Sequence, residues 1–175
     1  MFKKILITLV IVIAAILIFA ATKPNTFVVQ RSASIKAPPE KIFLLLNNLH
    51  VWGSWSPFEK LDPAMKKTFS GPDSGVGAVL AWDGNSKAGA GSMEISEAVT
   101  PSKVTMKLDF IKPFAGHNVV NFTLAPEGEA TMVTWAMSGS SPYMMKVMGI
   151  FCNMDKLIGK DFEEGLGNLK TLSEK

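Results

Sequence analysis

Residues 154–170, MDKLIGKDFEEGLGNLK, decide the fold that this sequence can adopt. Apolar residues recur there at intervals of three and four, which predicts one long amphipathic helix. These residues are Met154, Leu157, Ile158, Phe162, Leu166 and Leu169. Upstream of this helix, the chain from Thr26 predicts one strand, a short helix and six further strands. A single sheet with one long helix cannot fill its own interior, so we expect the sheet to curve around the helix and to leave an apolar cavity.

Alternation of apolar and polar residues locates the strands. The first strand is Thr26–Ile35, with Phe27, Val29 and Ile35 on one face. The later strands are Met65–Ser70, Ala78–Trp82, Gly89–Ser96, Lys103–Phe110, His117–Leu124 and Thr131–Ser138. One apolar face and one polar face per strand are typical of an antiparallel sheet with one side in water. The pattern therefore predicts an α+β fold, a curved antiparallel sheet around a C-terminal helix.

Large, deformable apolar side chains on the inward faces supply the candidate ligand-binding residues. They are Trp55, Met106, Phe110, Phe122, Val133, Trp135, Met144, Met148, Ile158 and Phe162. Methionine in particular adapts its shape to irregular ligands. We expect the ligand to be an apolar small molecule such as a lipid, a quinone or an isoprenoid, and no cofactor is expected. The segment Tyr143–Phe151 is apolar nearly all round, so it must be buried or membrane-facing and is expected to cover one mouth of the cavity.

Arg31 is the one basic residue on the inward face of the first strand. A buried guanidinium needs a partner of opposite charge. We expect Glu59 to be that partner, next to Trp55. A structural ion pair is favoured over a polar anchor for a ligand carboxylate.

The N-terminus carries an apolar run, Ile5–Ala21, in which Thr8 is the only polar side chain. As a helix it would be roughly 26 Å long, near the lower limit for crossing a bilayer core. We expect residues 1–22 to form an uncleaved membrane anchor and residues 23–175 to form the ligand-binding domain. A cleaved signal peptide is the alternative, but small residues are lacking where a signal peptidase would cut. The lysines at positions 3 and 4 favour a cytoplasmic N-terminus and an extracytoplasmic domain.

Composition and charge argue against several classes of protein. The formal net charge is +3 and Arg31 is the only arginine, so the basic stripe of a nucleic-acid-binding protein is missing. The two histidines, His50 and His117, lack the ligand spacing of a metal site. A single cysteine, Cys152, excludes an intrachain disulfide and is expected to be a buried structural residue. The sequence predicts no particular oligomeric state.

Three segments resemble a known family. The segment Arg31–Phe43, which contains Ala37-Pro38-Pro39-Glu40, and the segment Trp52–Lys60, WGSWSPFEK, resemble the polyketide cyclase/dehydrase branch of the START-like, helix-grip (SRPBCC) superfamily. Residues 159–170 are similar to the final helix of that group. The resemblance covers about residues 26–172 and implies a seven-stranded antiparallel sheet that grips the last helix. It implies binding of lipids or aromatic metabolites, without a fixed catalytic set.

Two other functions stay open at this point. A cyclase or dehydratase acting on a polyketide-like substrate would need an acid or base in the cavity, and Arg31, Glu59 and Asp83 are the only candidates. A strongly perturbed carboxylate pKa in the pocket would favour this enzyme. An interaction module would instead combine a filled core with a large exposed apolar patch.

Overall fold

The computed structural model describes residues 1–151 and 153–175, with only the backbone of Met154. The helices in this part of the chain are α1 (Phe2–Ala21), α2 (Pro39–Leu46), α3 (Tyr143–Phe151) and α4 (Met154–Ser173), and two 3-10 helices at Leu49–Ser54 and Pro57–Leu61 follow α2. The strands are β1 (Thr26–Ile35), β2 (Lys66–Ser70), β3 (Val79–Asp83), β4 (Ala90–Val99), β5 (Lys103–Lys112), β6 (Gly116–Glu127) and β7 (Ala130–Ser140). Cys152, which is expected to be buried, and the side chain of Met154, an apolar residue of the predicted helix, lie outside the described residues.

Within the described residues, seven strands form one antiparallel sheet in the order β1-β7-β6-β5-β4-β3-β2. The first strand pairs with the last, from Thr26 opposite Ser140 to Ile35 opposite Thr131. The other strands follow one another as hairpin neighbours. The α+β fold predicted from the sequence, a curved antiparallel sheet with C-terminal helices, is confirmed.

Helix α4 lies against β1 and β7, and its sequence explains how closely it approaches the sheet. Asn153 caps its start, because the side-chain Oδ1 accepts a hydrogen bond from the Lys156 N–H at 3.0 Å. A Cβ atom at Gly165 would lie 2.7 Å from the ring of Trp135, and one at Gly159 would overlap the guanidinium of Arg31. The two glycines therefore permit direct contact of the helix backbone with the sheet side chains.

The strand register defines two ends of the sheet. We call the end of the sheet where β1 follows α1 the α1 end. It carries Thr26 of β1, Ser140 of β7, Gly116 of β6 and Lys112 of β5. The opposite end carries the β6–β7 turn and the start of α2. Helix α2 packs against β5 and β6 and buries Ile42, Phe43 and Leu46.

Burial on the inner face of the sheet, the face that packs against α4, decreases toward the α1 end. In the middle, Val120 is paired with Met106, and Ile95 lies beyond them, all buried. Nearer the α1 end, Phe27, Leu108, Phe110 and Trp82 are only half-buried. The inner face is therefore closed in the middle and more open at the α1 end.

Candidate functional site

Aromatic side chains fill the space between α4 and the middle of the sheet, where the sequence predicts a cavity. We call Trp52, Trp55, Phe122, Trp135 and Phe162 the aromatic cluster. The rings of Trp135 and Phe162 are stacked, with centroids 4.0 Å apart, and those of Phe122 and Trp135 are 5.0 Å apart. Trp55 meets Trp135 edge to face at 5.6 Å. Such contacts stabilise aromatic pairs beyond their burial alone.

One member of the aromatic cluster has an unused polar group. The indole N–H of Trp52 donates to the carbonyl of Leu46 at 3.0 Å, and that of Trp55 donates to the carbonyl of Leu45 at 3.3 Å. Among the residues that the structure describes, none accepts a hydrogen bond from the buried Nε1 of Trp135. An unsatisfied buried donor costs about 1–3 kcal/mol. Trp135 is thus the one indole of the cluster that is left with a free donor in this part of the chain.

The predicted ligand-binding residues divide into three groups by their position. Six of them are buried in one continuous core: Trp55, Met106, Phe122, Val133, Trp135 and Phe162. Ile158 is half-buried against this core, and Phe110 is half-buried beside Trp82. Met144 and Met148 are 68% and 47% exposed on α3, so they do not point into the core.

An open groove lies at the α1 end, between α3 and the segment that joins α1 to β1. This α3 groove has a volume of about 470 Å³. Its lining includes Lys23, Phe27, Met145, Lys146, Ile150 and Phe151. The volume falls within the range of small-molecule sites, roughly 300–1,000 Å³. Phe27 also packs against the core, so the groove and the inner face of the sheet share this side chain.

The α3 groove was not predicted from the sequence. Met145 and Ile150 belong to the segment that is apolar nearly all round, and such a pattern does not say which side of a helix faces its neighbours. Phe27 was assigned to the inner face of β1, but its nearness to α3 depends on how the chain returns after β7. In the sequence, the only indication of this groove was the high apolar content of α3 and of the start of β1.

The predicted ion pair between Arg31 and Glu59 is wrong. Arg31 Nε lies 2.7 Å from Glu163 Oε1, and Arg31 Nη1 lies 3.0 Å from Asp155 Oδ1. Glu59 instead pairs with Lys67 of β2 at 2.7 Å. The reason is that α4 crosses β1 and brings its own carboxylates over Arg31, whereas Glu59 faces the other edge of the sheet.

The Arg31 contacts connect α4 to β1 and shift the pKa values of Arg31 and Asp155. The guanidinium also donates to the main-chain carbonyl of Asp155 at 3.0 Å. The hydrogen bond from Arg31 holds the pKa of Asp155 below its usual value. Hydrogen bonds to Asp155 and then to Glu163 raise the pKa of Arg31. Arg31 is therefore engaged in holding α4 and not in lining the α3 groove.

Acid and base candidates for an enzyme lie away from the groove. Asp83 is exposed and pairs with Lys112 at 3.4 Å. Burial, and after it the charge of Glu164, raises the pKa of Asp161 on α4. The groove lining contains the charged side chains of Lys23 and Lys146, and no carboxylate among the described residues.

Most of the chain matches one known protein family. Residues 26–174 match a family model described as polyketide cyclase / dehydrase and lipid transport. The chain belongs to this family. No curated protein matches the chain in sequence. The family resemblance carried by the Arg31–Phe43 and Trp52–Lys60 segments is confirmed.

Solved structures with the same fold include proteins from several sources. Protein CV1439 of Chromobacterium violaceum has a TM-score of 0.61 and 16% identity, covering 87% of this chain and 99% of that one. Ginseng major latex-like protein 151 of Panax ginseng has a TM-score of 0.59 and 14% identity, over 87% of this chain and 100% of that one. BexL, a di-domain ARO/CYC from the BE-7585A biosynthetic pathway, has a TM-score of 0.61 and 14% identity, over 90% of this chain and 53% of that one. At these identities the likeness shows the fold alone.

Proposed function

We propose that this protein binds an apolar small molecule, such as a lipid, quinone or isoprenoid, while α1 anchors it in a membrane. The observation that carries this proposal is the α3 groove, which is about 470 Å³ in volume. Phe27 lines this groove and also packs on the inner face of the sheet. A ligand in the groove displaces Phe27 and continues along the half-buried part of that face. The binding site is then the space between the sheet and the C-terminal helices, extended to the α1 end.

The route inward follows one row of paired residues. Phe27 is opposite Gly139, Gly139 is opposite Asn118, and Asn118 is opposite Leu108. Phe110 and Trp82 lie one row closer to the α1 end and are also half-buried. Side chains in this region are less tightly enclosed than the aromatic cluster, so they can move aside for a ligand at lower cost.

The indole N–H of Trp135, which has no acceptor among the described residues, favours ligands that carry a hydrogen-bond acceptor. About 14 Å along β7 separate Gly139, beside the groove, from Trp135. A molecule with an oxygen acceptor on an extended apolar chain could span this distance and satisfy the donor, removing a cost of about 1–3 kcal/mol. A quinone or an oxygenated isoprenoid fits this description better than a pure hydrocarbon.

Helix α1 supports the membrane anchor. It has 20 residues and a mean hydropathy of 2.9 over its most apolar window. Its length of about 30 Å matches the thickness of a bilayer core. Lys3 and Lys4 precede its apolar part and favour a cytoplasmic N-terminus, so the family domain lies outside the cytoplasm. Reporter enzymes fused at the C-terminus test this orientation, and activity of a cytoplasm-specific reporter alone would contradict it.

A matched pair of variants on α3 tests ligand binding. Met145 lines the groove, whereas Met148 is exposed on the same helix. The full chain is purified from membranes, extracted with organic solvent, and its apolar molecules are quantified by mass spectrometry. We expect Met145→Trp to lower the ligand content several-fold because the larger ring fills the groove, and Met148→Trp to leave it unchanged. Equal content in both variants, or no specific molecule in the wild type, would refute binding at the groove.

A further inference from the structure

Large apolar side chains at the α1 end are exposed in the part of the chain that the structure describes. No side chain of α3 is buried in this part of the chain, and its Tyr143, Met144, Met148 and Phe151 are all exposed. The end of β5 and the turn that follows it add Ile111 and Phe114, which are 66% and 71% exposed. Large exposed apolar side chains gathered at one end of a domain are typical of an interaction surface. We call α3 and this turn together the α3 surface.

The strand register places both parts of the α3 surface at the end of the sheet where α1 is joined to β1. Ser140, which precedes α3, is paired with Thr26, the first residue of β1. The β5–β6 turn is closed by Phe110 opposite Gly116, and that end of β6 runs beside the end of β7. Only four residues, 22–25, connect α1 to β1. The surface therefore lies where α1 enters the folded domain.

Two hydrogen bonds show which part of α1 and of the segment after it lies next to α3. The hydroxyl of Tyr143 donates to the carbonyl of Leu17 at 2.8 Å. Leu17 lies four residues before the end of α1, which is about 6 Å along the helix axis. Lys146 Nζ also lies 2.6 Å from Asn25 Oδ1 in the connecting segment. The start of α3 is thus level with the last turn of the apolar helix.

Several lysines lie at the α1 end of the sheet. They are Lys23, Lys87, Lys112 and Lys146, of which Lys112 pairs with Asp83. Lysines near an apolar surface attract anionic lipid headgroups. These lysines favour contact of the α1 end with an anionic bilayer.

We infer that the α3 surface docks on the bilayer in which α1 is anchored, so that the α3 groove opens directly to lipid. This inference rests on the proposed membrane anchor. The occupant of the surface is a phospholipid bilayer, because α3 contacts the very helix that spans it and lies level with its last turn. An apolar ligand then passes between bilayer and groove without crossing water.

The test uses the full chain in vesicles of phosphatidylcholine and phosphatidylglycerol. Cys152 is replaced by Ser, and single cysteines are introduced at Phe114, Met148 or Val76 and labelled with nitrobenzoxadiazole. Val76 is the matched control, since it is an exposed apolar residue in a turn at the opposite end. Lipids that carry a nitroxide on the acyl chain serve as quenchers. Circular dichroism melting verifies that each variant is folded.

We expect labels at positions 114 and 148 to lose about half of their fluorescence or more, since docked apolar faces lie roughly 5–10 Å deep in the interface. The label at position 76 keeps its fluorescence. An unquenched label at position 114 in a chain that floats with the vesicles would overturn the docking and leave the anchor intact. Protection of that label from aqueous iodide without quenching by lipid would also overturn it, in favour of a protein partner. A chain that does not float with the vesicles would refute both the docking and the anchor.

Discussion

The two C-terminal helices, α3 and α4, are both rich in apolar residues, but they differ in how many of these residues are buried. In α4 the apolar residues follow the helical period, and Phe162, Leu166 and Leu169 are buried against the sheet and its neighbours. In α3 they occur on every side, and none is buried within the described residues. The comparison shows that burial in this fold follows the periodicity of apolar residues and not their number, because only one side of a helix can face the sheet.

The ends of the two helices are held differently as well. Arg31 of β1 reaches Asp155 and Glu163 of α4, so charged groups connect that helix to the sheet. Helix α3 is connected by Tyr143 to α1 and by Lys146 to Asn25. Both of these hydrogen bonds lead to α1 or to the segment after it. We therefore expect α4 to belong to the stable core and α3 to respond to the membrane.

The largest expected effect comes from truncating one apolar residue on each helix. Phe162→Ala removes a buried ring that stacks on Trp135, and we expect it to lower the free energy of unfolding by about 3–5 kcal/mol. Met148→Ala removes an exposed side chain and should change it by no more than about 0.5 kcal/mol. Urea denaturation of the full chain in detergent micelles measures both. Comparable losses would show that α3 is part of the core.

Glycine substitutions in α4 test how tightly that helix is packed. A Cβ atom at Gly165 would lie 2.7 Å from Trp135 and 3.0 Å from Pro57, so Gly165→Ala should cost about 1–3 kcal/mol from overpacking, less the gain in helix propensity. At Gly167 a Cβ atom meets nothing within 4 Å, and Gly167→Ala should stabilise by about 0.5–1 kcal/mol. Thermal unfolding of the two variants gives the comparison. A stabilising Gly165→Ala would mean that α4 lies farther from the sheet.

Two tryptophan substitutions compare a satisfied and an unsatisfied indole beneath α4. Trp55→Phe and Trp135→Phe remove similar volumes from the aromatic cluster, but only the first also removes a hydrogen bond, the one to Leu45. We expect Trp55→Phe to be the more destabilising of the two by about 1 kcal/mol. Denaturant titration measures this difference. With ligand bound, Trp135→Phe should weaken binding, and an unchanged affinity would exclude the indole as a ligand donor.

The smallest expected effect concerns the ionic connection of α4 to β1. The pKa of Asp155 is lower in the folded state than its unfolded value of about 3.9. The ion pair of Asp155 with Arg31 therefore stabilises the fold fully above that unfolded pKa, and this stabilisation is lost as the pH falls through the folded pKa. Arg31→Met should lower the Tm at neutral pH, and the difference from wild type should shrink in acid below about pH 4. Lys107→Met, which breaks an exposed pair with Glu94, is the control. A difference that persists unchanged in acid would show that Arg31 acts through packing alone.

Much of the fold could be predicted from alternation and periodicity. The inward faces of β5, β6 and β7 carry the residues that alternation assigned to them, including Met106, Phe122 and Trp135. The segment Tyr143–Phe151 begins and ends as predicted. Several strands are longer than predicted, such as β4, which continues to Val99. Their ends depend on pairing with a neighbouring strand, a contact that no local pattern contains.

The sequence by itself determined which residues of the strands are inward, where the long helix lies and which family the chain resembles, because these features depend on the spacing of residues along the chain. Only the tertiary structure decided that Arg31 meets Asp155 and Glu163, that aromatic rings fill the middle of the interior, and that the groove lies beside α3. Each of these depends on how a helix is docked on the sheet. Docking follows from the packing of many distant side chains at once, so it cannot be inferred from the spacing within any one segment.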